Sequence, residues 1–356
     1  KSRTTKNLEG YFLSNRNLPW YVVLLSIMGT QASAITFLSG PGQAFADGMR
    51  FVQYYFGLPL AMVVICITFV PLFNRQKVVT AYEFLEKRFD SKTRLFTSFL
   101  FLLQRGVSTG ISIYAPSIIV SSLFGWDIFW TNIIMGGLLI IYTVTGGAKA
   151  VAHTQKIQLA IIFIAMAAAG YMVVHLLPEN VSLTDALHVG GKSGKTNVIT
   201  TGSEAENFWQ DRYNIWSGLI GGFFLALSYF GTDHSQVGRY LTAQNNRESR
   251  LGLLMNGLIK VPMQFAILLI GVLVFAFYQF NPSPVSFDDA LLSEVQGTSY
   301  KDSVNQLQLR YDSINQLKSA AAISYVSSLK KNGEDAIAVE QLQSYSKQTN
   351  KDVKTN

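Results

Sequence analysis

Seven stretches of this chain are too apolar and too long to be core helices of a water-soluble domain. They run approximately over 19–43, 51–73, 94–124, 127–145, 157–177, 213–232 and 251–280. A bilayer core needs about 20 mostly apolar residues per helix, and most of these segments meet that length. Phe51–Phe73 and Ile157–Leu177 carry no charged residue at all. Only 14% of the chain is charged, well below the roughly 25% of soluble domains. The sequence therefore describes an all-α polytopic membrane protein with about seven transmembrane helices. Its solvent partner is the lipid bilayer.

Where the basic residues fall gives an orientation. If residues 1–18 are cytoplasmic, the cytoplasmic segments hold fifteen Lys and Arg and the short external ones hold four. Positive loops stay inside, so the net charge of +7 reflects topology and gives no evidence of nucleic-acid binding. The first residues carry no signal-peptide pattern, and the chain begins at Lys1, which suggests a piece of something longer. The single cysteine, Cys66, excludes an intramolecular disulfide, and the four scattered histidines form no metal-ligand spacing.

The sequence divides in two. Residues 1–283 form the membrane part, and residues 284–356 form a polar segment with loose helical periodicity over Val304–Leu329 and Asp335–Tyr345. An odd number of spans puts that segment outside the cytoplasm, as a helical hairpin between spans.

Two spans are interrupted. The first carries Gly29-Thr30-Gln31-Ala32-Ser33-Ala34-Ile35-Thr36, then Ser39-Gly40-Pro41-Gly42. The sixth carries Ser217-Gly218 and Gly221-Gly222, then Ser228-Tyr229-Phe230-Gly231-Thr232-Asp233. Non-helical backbone at mid-membrane depth survives only when buried in protein or lining a wet cavity. Its carbonyls are hard oxygen ligands suited to Na⁺, and two such helices five apart fit an inverted repeat. Close helix packing through small residues is the other account of the first window.

Two charges lie inside spans. Arg105 offers a fixed positive charge to a solute, or else snorkels to the membrane edge. Lys260 is expected to snorkel. Tyr54 and Tyr55 are expected near an interface, as belt aromatics.

Specific strings then resemble the sodium:solute symporter family, which includes sodium–sugar, sodium–proline, sodium–iodide and sodium–monocarboxylate cotransporters. They are Tyr11–Trp20, Thr80-Ala-Tyr-Glu-Phe-Leu-Glu-Lys-Arg-Phe89, Tyr142–Gly147 with Ala150–Gln158, and Ser228–Leu241. The resemblance implies a leucine-transporter-like inverted-repeat fold, incomplete here: core helices one to seven, without the preceding helix or helices eight onward. It implies Na⁺ as coupling ion, held by main-chain carbonyls of Gly29 and Ala32. It places substrate contacts at Gln31 and Thr36, at Tyr55 by its spacing from Pro71, and at the inner-gate aromatic Tyr229. Two departures stand out. Gln155 replaces the aspartate usual before helix five, which puts a second Na⁺ site in doubt. Of the usual D-Q-x-x-V-Q-R string, Asp233 and Arg239 remain, to tether the end of helix six or to serve as an N-cap and a positive-inside charge.

The function implied is Na⁺-coupled import of a small organic or anionic solute by alternating access, with no covalent chemistry and so no enzyme. The membrane implied is the plasma or inner membrane of the cell. A membrane sensor reusing the symporter fold, or a proton-coupled carrier or channel, are the competing classes.

Overall fold

The computed structural model describes residues 10, 13–33, 35–201, 211, 213–283, 292, 295–331, 333 and 335–355. Tyr11 and Phe12 of the entry string, Ala34 of the first interrupted window, and most of 284–294 lie outside the described residues. The described residues form helices joined by turns and irregular segments, with an isolated bridge between Leu18 and Ala243 and no strand among them.

All seven apolar segments are present as helices. α1 (Trp20–Gln31) and α2 (Gly40–Asp47, preceded by a wide turn over Ile35–Ser39) form one pair bent by 71°. A 3₁₀ stretch over Met49–Tyr55 leads into α3 (Leu58–Ile67) and α4 (Phe69–Gln76), which together make the second span. The short α5 (Ala81–Arg88) precedes α6 (Ser91–Phe124). α7 (Ile128–His175) is followed by α8 (Leu183–Lys192), α9 (Gly222–Gly231, entered by a wide turn over Ser217–Gly221) and α10 (His234–Tyr240). α11 (Asn246–Phe280) ends the membrane part, and α12 (Lys301–Lys331) and α13 (Ala336–Thr355) make a hairpin. By length and composition four of these helices can cross a bilayer, or five with the bent pair; Ile128–Ile141 and Ser217–Gly231 are shorter apolar helices.

One expectation changes. The fourth and fifth segments are not separated by a loop at 146–156; they are one helix of 48 residues. No proline interrupts Ile128–His175, so nothing in the local sequence breaks the hydrogen-bond ladder. At 1.5 Å per residue the helix is about 72 Å long, more than twice a bilayer core. Its two apolar stretches cannot share one crossing.

Local sequence fixes the helix starts. Thr80 caps α5 by accepting from Glu83 N–H at 3.1 Å, and the Glu83 carboxylate accepts from Val79 N–H at 2.8 Å. That reciprocal cap explains the T-x-x-E spacing of the second family-like string. Burial works against ionisation of Glu83, but the Val79 N–H and Lys87 hold its carboxyl below the usual range. Asn245 caps α11 through Glu248 N–H, and the Glu248 carboxylate accepts from Trp20 N–H at 2.6 Å, so the starts of α1 and α11 are joined.

α11 is the hub. Its residues enter four apolar clusters: Leu253 with Val23, Ile27, Met62 and Phe230; Met263 and Ile267 with Met28 and Leu159; Leu268 and Val272 with Ala44 and Val52; and Ala276 and Phe280 with the polar hairpin. By contrast α6 and the second half of α7 present long apolar faces outward, with Leu95, Leu123 and Ile164 among the exposed residues. In a membrane such faces meet lipid or other apolar helices.

The polar hairpin is attached by a core of its own. Ala322, Tyr325 and Val326 of α12 and Leu342 of α13 pack on Ala186 and Val189 of α8 and on Ala276 and Phe280 at the end of α11. Lys330 pairs with Asp185 at 3.1 Å. The two helical stretches expected at 304–329 and 335–345 are thus real, and longer than their periodicity indicated.

Candidate functional site

The break between α1 and α2 begins at Ala32, whose φ of −79° and ψ of 75° are outside the helical range. Ser33 N–H, the ordinary partner of the Gly29 carbonyl in a continuing helix, donates instead to Gln31 O at 3.0 Å. The Thr36 hydroxyl also donates to Gln31 O at 3.0 Å. The last turn of α1 therefore releases the Gly29 carbonyl from the ladder and satisfies that of Gln31 sideways. Hard carbonyl oxygens at a helix break are the donor set an alkali cation takes, so Gly29 and Ala32 fit the role expected of them.

Gly29 is a glycine for a second reason. A Cβ there would lie 2.8 Å from Gln155 Cβ. Gln155 accepts from Ser26 Oγ at 3.0 Å and donates to Thr30 Oγ1 at 3.0 Å, bracketing Gly29 along α1. The amide thus links α7 to α1 without a charge.

A cavity of about 550 Å³ opens at the break. Gln31, Thr36 and Gln43 line it from α1, the turn after it and α2. Phe51, Tyr54, Tyr55 and Leu58 line it from the second span; Leu225, Ala226, Tyr229 and Phe230 come from α9, and Lys260 from α11. Four residues expected to touch solute, Gln31, Thr36, Tyr55 and Tyr229, are brought together here. Gly222 of α9 lets the walls close: a Cβ on it would meet Tyr54 O at 2.2 Å.

Tyr213 stands before the start of α9, touching Phe51 and Tyr54 edge-on at 6.1 and 6.0 Å, and its hydroxyl accepts from Gln43 Nε2 at 2.9 Å. Asp233 stands just beyond the far end of α9. The apolar helix Ser217–Gly231 between them has 15 residues, about 22 Å at 1.5 Å each, so they mark two ends of the site.

Two corrections concern charge. Lys260 does not snorkel: it is 2% exposed, its ammonium 5.9 Å from the Tyr55 ring centroid, and it is the one charged side chain in the cavity lining. Arg105 lies outside that lining. Its Nη2 donates to Asp233 at 2.6 Å and to the Ser235 hydroxyl at 2.5 Å, so its charge is already met by a carboxylate. Asp233 also caps α10, accepting from Ser235 N–H at 2.8 Å, so it serves as an N-cap and, through Arg105, joins the end of the sixth span to α6. Tyr54 and Tyr55 are cavity walls and not belt residues.

Sequence reasoning missed Gln43, Phe51, Tyr213 and Lys260 as lining residues. Lys260 alone had a signal, a charge mid-span without a partner in sequence; the others look like ordinary membrane or loop residues. Among the described residues no cluster of His, Cys, Asp or Glu could hold a metal ion.

The model of the sodium:solute symporter family matches residues 11–299. The chain belongs to the sodium:solute symporter family. It is 29% identical over 280 residues to the sodium/iodide cotransporter of Homo sapiens, covering 77% of this chain and 41% of that one. It is 29% identical to the Homo sapiens sodium-coupled monocarboxylate transporter 1, covering 70% of this chain and 40% of that one. The sodium/sialic acid symporter of Proteus mirabilis is 27% identical, with 81% and 57% covered. The chain thus spans about two fifths of the length of these two human relatives. A solved structure of a Na⁺-coupled sialic acid symporter, substrate-bound and outward-open, superposes with a TM-score of 0.72 at 22% identity. That match covers 99% of this chain and 75% of the other, and it carries the fold. The relatives are transporters, not enzymes, and family membership with these apolar helices makes the chain an integral membrane protein.

Proposed function

We propose that this protein is a Na⁺-coupled symporter of a small solute bearing negative charge, working by alternating access around the cavity at the helix break. The observation that carries the reading is Lys260: a buried ammonium, and among the described residues the only charge in the cavity lining. A desolvated cation is costly when the cavity is empty of anion and favourable when paired, which selects anions over neutral solutes. Gln31 and Thr36 supply neutral hydrogen-bonding groups beside it, and Tyr54, Tyr55 and Tyr229 supply apolar faces with polar tips.

Na⁺ would sit at the carbonyls of Gly29 and Ala32, where its charge lies next to the solute cavity and favours the solute-competent shape by linkage. The residues of this chain bind and orient; Tyr229, with its hydroxyl accepting from Gln236 Nε2 at 2.7 Å, closes the Asp233 end of the cavity. The membrane is that of the cell, plasma or inner, in keeping with the fifteen-to-four charge bias. We place the polar segment 284–356 outside the cytoplasm. The shared core of α8 and the hairpin supports this, because both then belong to segments on one side.

The test is uptake by the intact protein in proteoliposomes, with Na⁺ or choline outside and with iodide, pyruvate and sialic acid as probes. Uptake of at least one anion only under the Na⁺ gradient is expected, with Lys260→Met lowering its apparent affinity by about 10–100-fold, the worth of a charged hydrogen bond. Uptake driven by a proton gradient without Na⁺, or unchanged affinity in Lys260→Met, would overturn the reading.

A further inference from the structure

Tyr229 and Leu225 line a second cavity as well, of about 450 Å³. Its other walls come from α5 and α6, including Tyr82, Phe101 and Gln104, and from Asp233. Tyr229 is thus the partition between the Lys260 cavity and this one; its hydroxyl accepts from the fully buried Gln236, and its ring packs edge-on against Phe230.

Arg105 stands at the rim of the second cavity. Its guanidinium carbon lies 5.8 Å from the ring centroid of Phe101, and its ion pair is with Asp233, both of them lining residues. The two hydrogen bonds it makes among the described residues come from one nitrogen, Nη2. A guanidinium carries five N–H donors in a rigid fork, and the N–H groups of Nε and Nη1, one on each flank of Nη2, are left as single donors for another anion. About a third of the side chain is exposed, against 15% for Asp233.

We infer that Arg105 is a second anion station, which receives the solute after it passes Tyr229, with the Asp233 carboxylate competing for the same guanidinium. This rests on the reading of the central cavity as an anion site. The competition has a purpose in transport: a site must attract the solute enough to take it and hold it weakly enough to let it go. An unopposed arginine in a half-buried pocket would retain a carboxylate; an arginine already paired releases it. Arg105 therefore serves an anion, as its mid-span charge suggested, at a different place from the main cavity.

Opposed mutations separate this role from a purely structural latch between α6 and α10. In the intact protein, reconstituted in oriented vesicles, the probes are iodide and pyruvate added at the Asp233 face, read as inhibition of Na⁺-driven anion uptake from the other face. Arg105→Gln should weaken inhibition at the Asp233 face on the order of tenfold. Asp233→Asn should strengthen it by a similar factor, because the guanidinium loses its competitor. Arg105→Lys keeps the charge and the pair without the fork and should fall between parent and Arg105→Gln; it carries the test if Arg105→Gln fails to reach the membrane. A latch predicts that breaking the pair from either side gives the same change. Equal shifts of Arg105→Gln and Asp233→Asn in one direction, or no shift in either, would overturn the second station. A parent protein that carries no anion at all overturns the reading of the central cavity and this one with it.

Discussion

Replacing Gly271 with Ala tests whether the two halves of the broken helix are set by their packing on α11. A Cβ at Gly271 would lie 2.1 Å from the carbonyl oxygen of Pro41, where ordinary contact begins at 3.4 Å. The obstacle is backbone, so no rotamer relieves it. α2 must move away from α11 by roughly 1.3 Å, the difference between those two distances. Overpacking of this kind costs about 1–3 kcal/mol. The better helix propensity of Ala returns about 1 kcal/mol, leaving a net loss of up to about 2 kcal/mol. Because α2 hangs from the break at 32–36, the displacement falls on the shape that holds the ion. If the whole loss is borne there, Na⁺ affinity drops by up to about 30-fold. Gly110→Ala is the control: Gly110 lies within α6, nothing stands within 4 Å of its Cβ, and the substitution should be neutral or mildly stabilising. Thermal unfolding of the intact protein with increasing Na⁺ reads both quantities. A Gly271→Ala protein that melts like Gly110→Ala and responds equally to Na⁺ would refute the argument that this contact positions the break.

Three further outcomes are expected. Ser313 is exposed on α12; Ser313→Cys, with Cys66 replaced, should react with an impermeant thiol reagent on intact cells, and labelling only after lysis would reverse the placement of the hairpin. Lys318 is 2% exposed and donates to Asn315 Oδ1 at 2.8 Å, and burial pulls its ammonium from 10.5 down to about 8. Between those values the unfolded hairpin binds more protons than the folded one, so resistance of the hairpin to proteolysis should rise from about pH 8 to pH 10.5, and Lys318→Met should abolish the rise. Asp185 is opposed by burial, but the Ser182 N–H and hydroxyl and Lys330 hold its carboxyl below the usual range. Its contribution is present above the ordinary carboxylate range and lost as pH falls through the depressed value, so acid should loosen the hairpin from α8, and Asp185→Asn should loosen it already at neutral pH.

The sequence by itself determined the solvent, the helical character of the chain and where a break could fall. Seven apolar segments can satisfy their backbone in lipid only as helices, and the small and glycine residues from Gly29 to Gly42 permit a break that the structure then shows at Ala32, so these features have their origin in local composition. The family strings were legible for a similar reason: Thr80 with Glu83, and Asp233 before α10, are caps, and capping chemistry is read within four residues. The seam between the fourth and fifth segments was not legible, because glycines and polar residues permit a loop without requiring one. Only the tertiary structure decided which charge faces the cavity. Arg105 and Lys260 look alike to hydropathy, each a single cation roughly ten residues into a span. Their fates depend on neighbours more than a hundred residues away: Asp233 claims Arg105, while α11, buried on several sides as the hub of the bundle, turns Lys260 toward Tyr55. Sequence fixes that a buried charge must have a partner; the fold chooses whether the partner is a carboxylate of the chain or, at Lys260, the proposed anionic cargo.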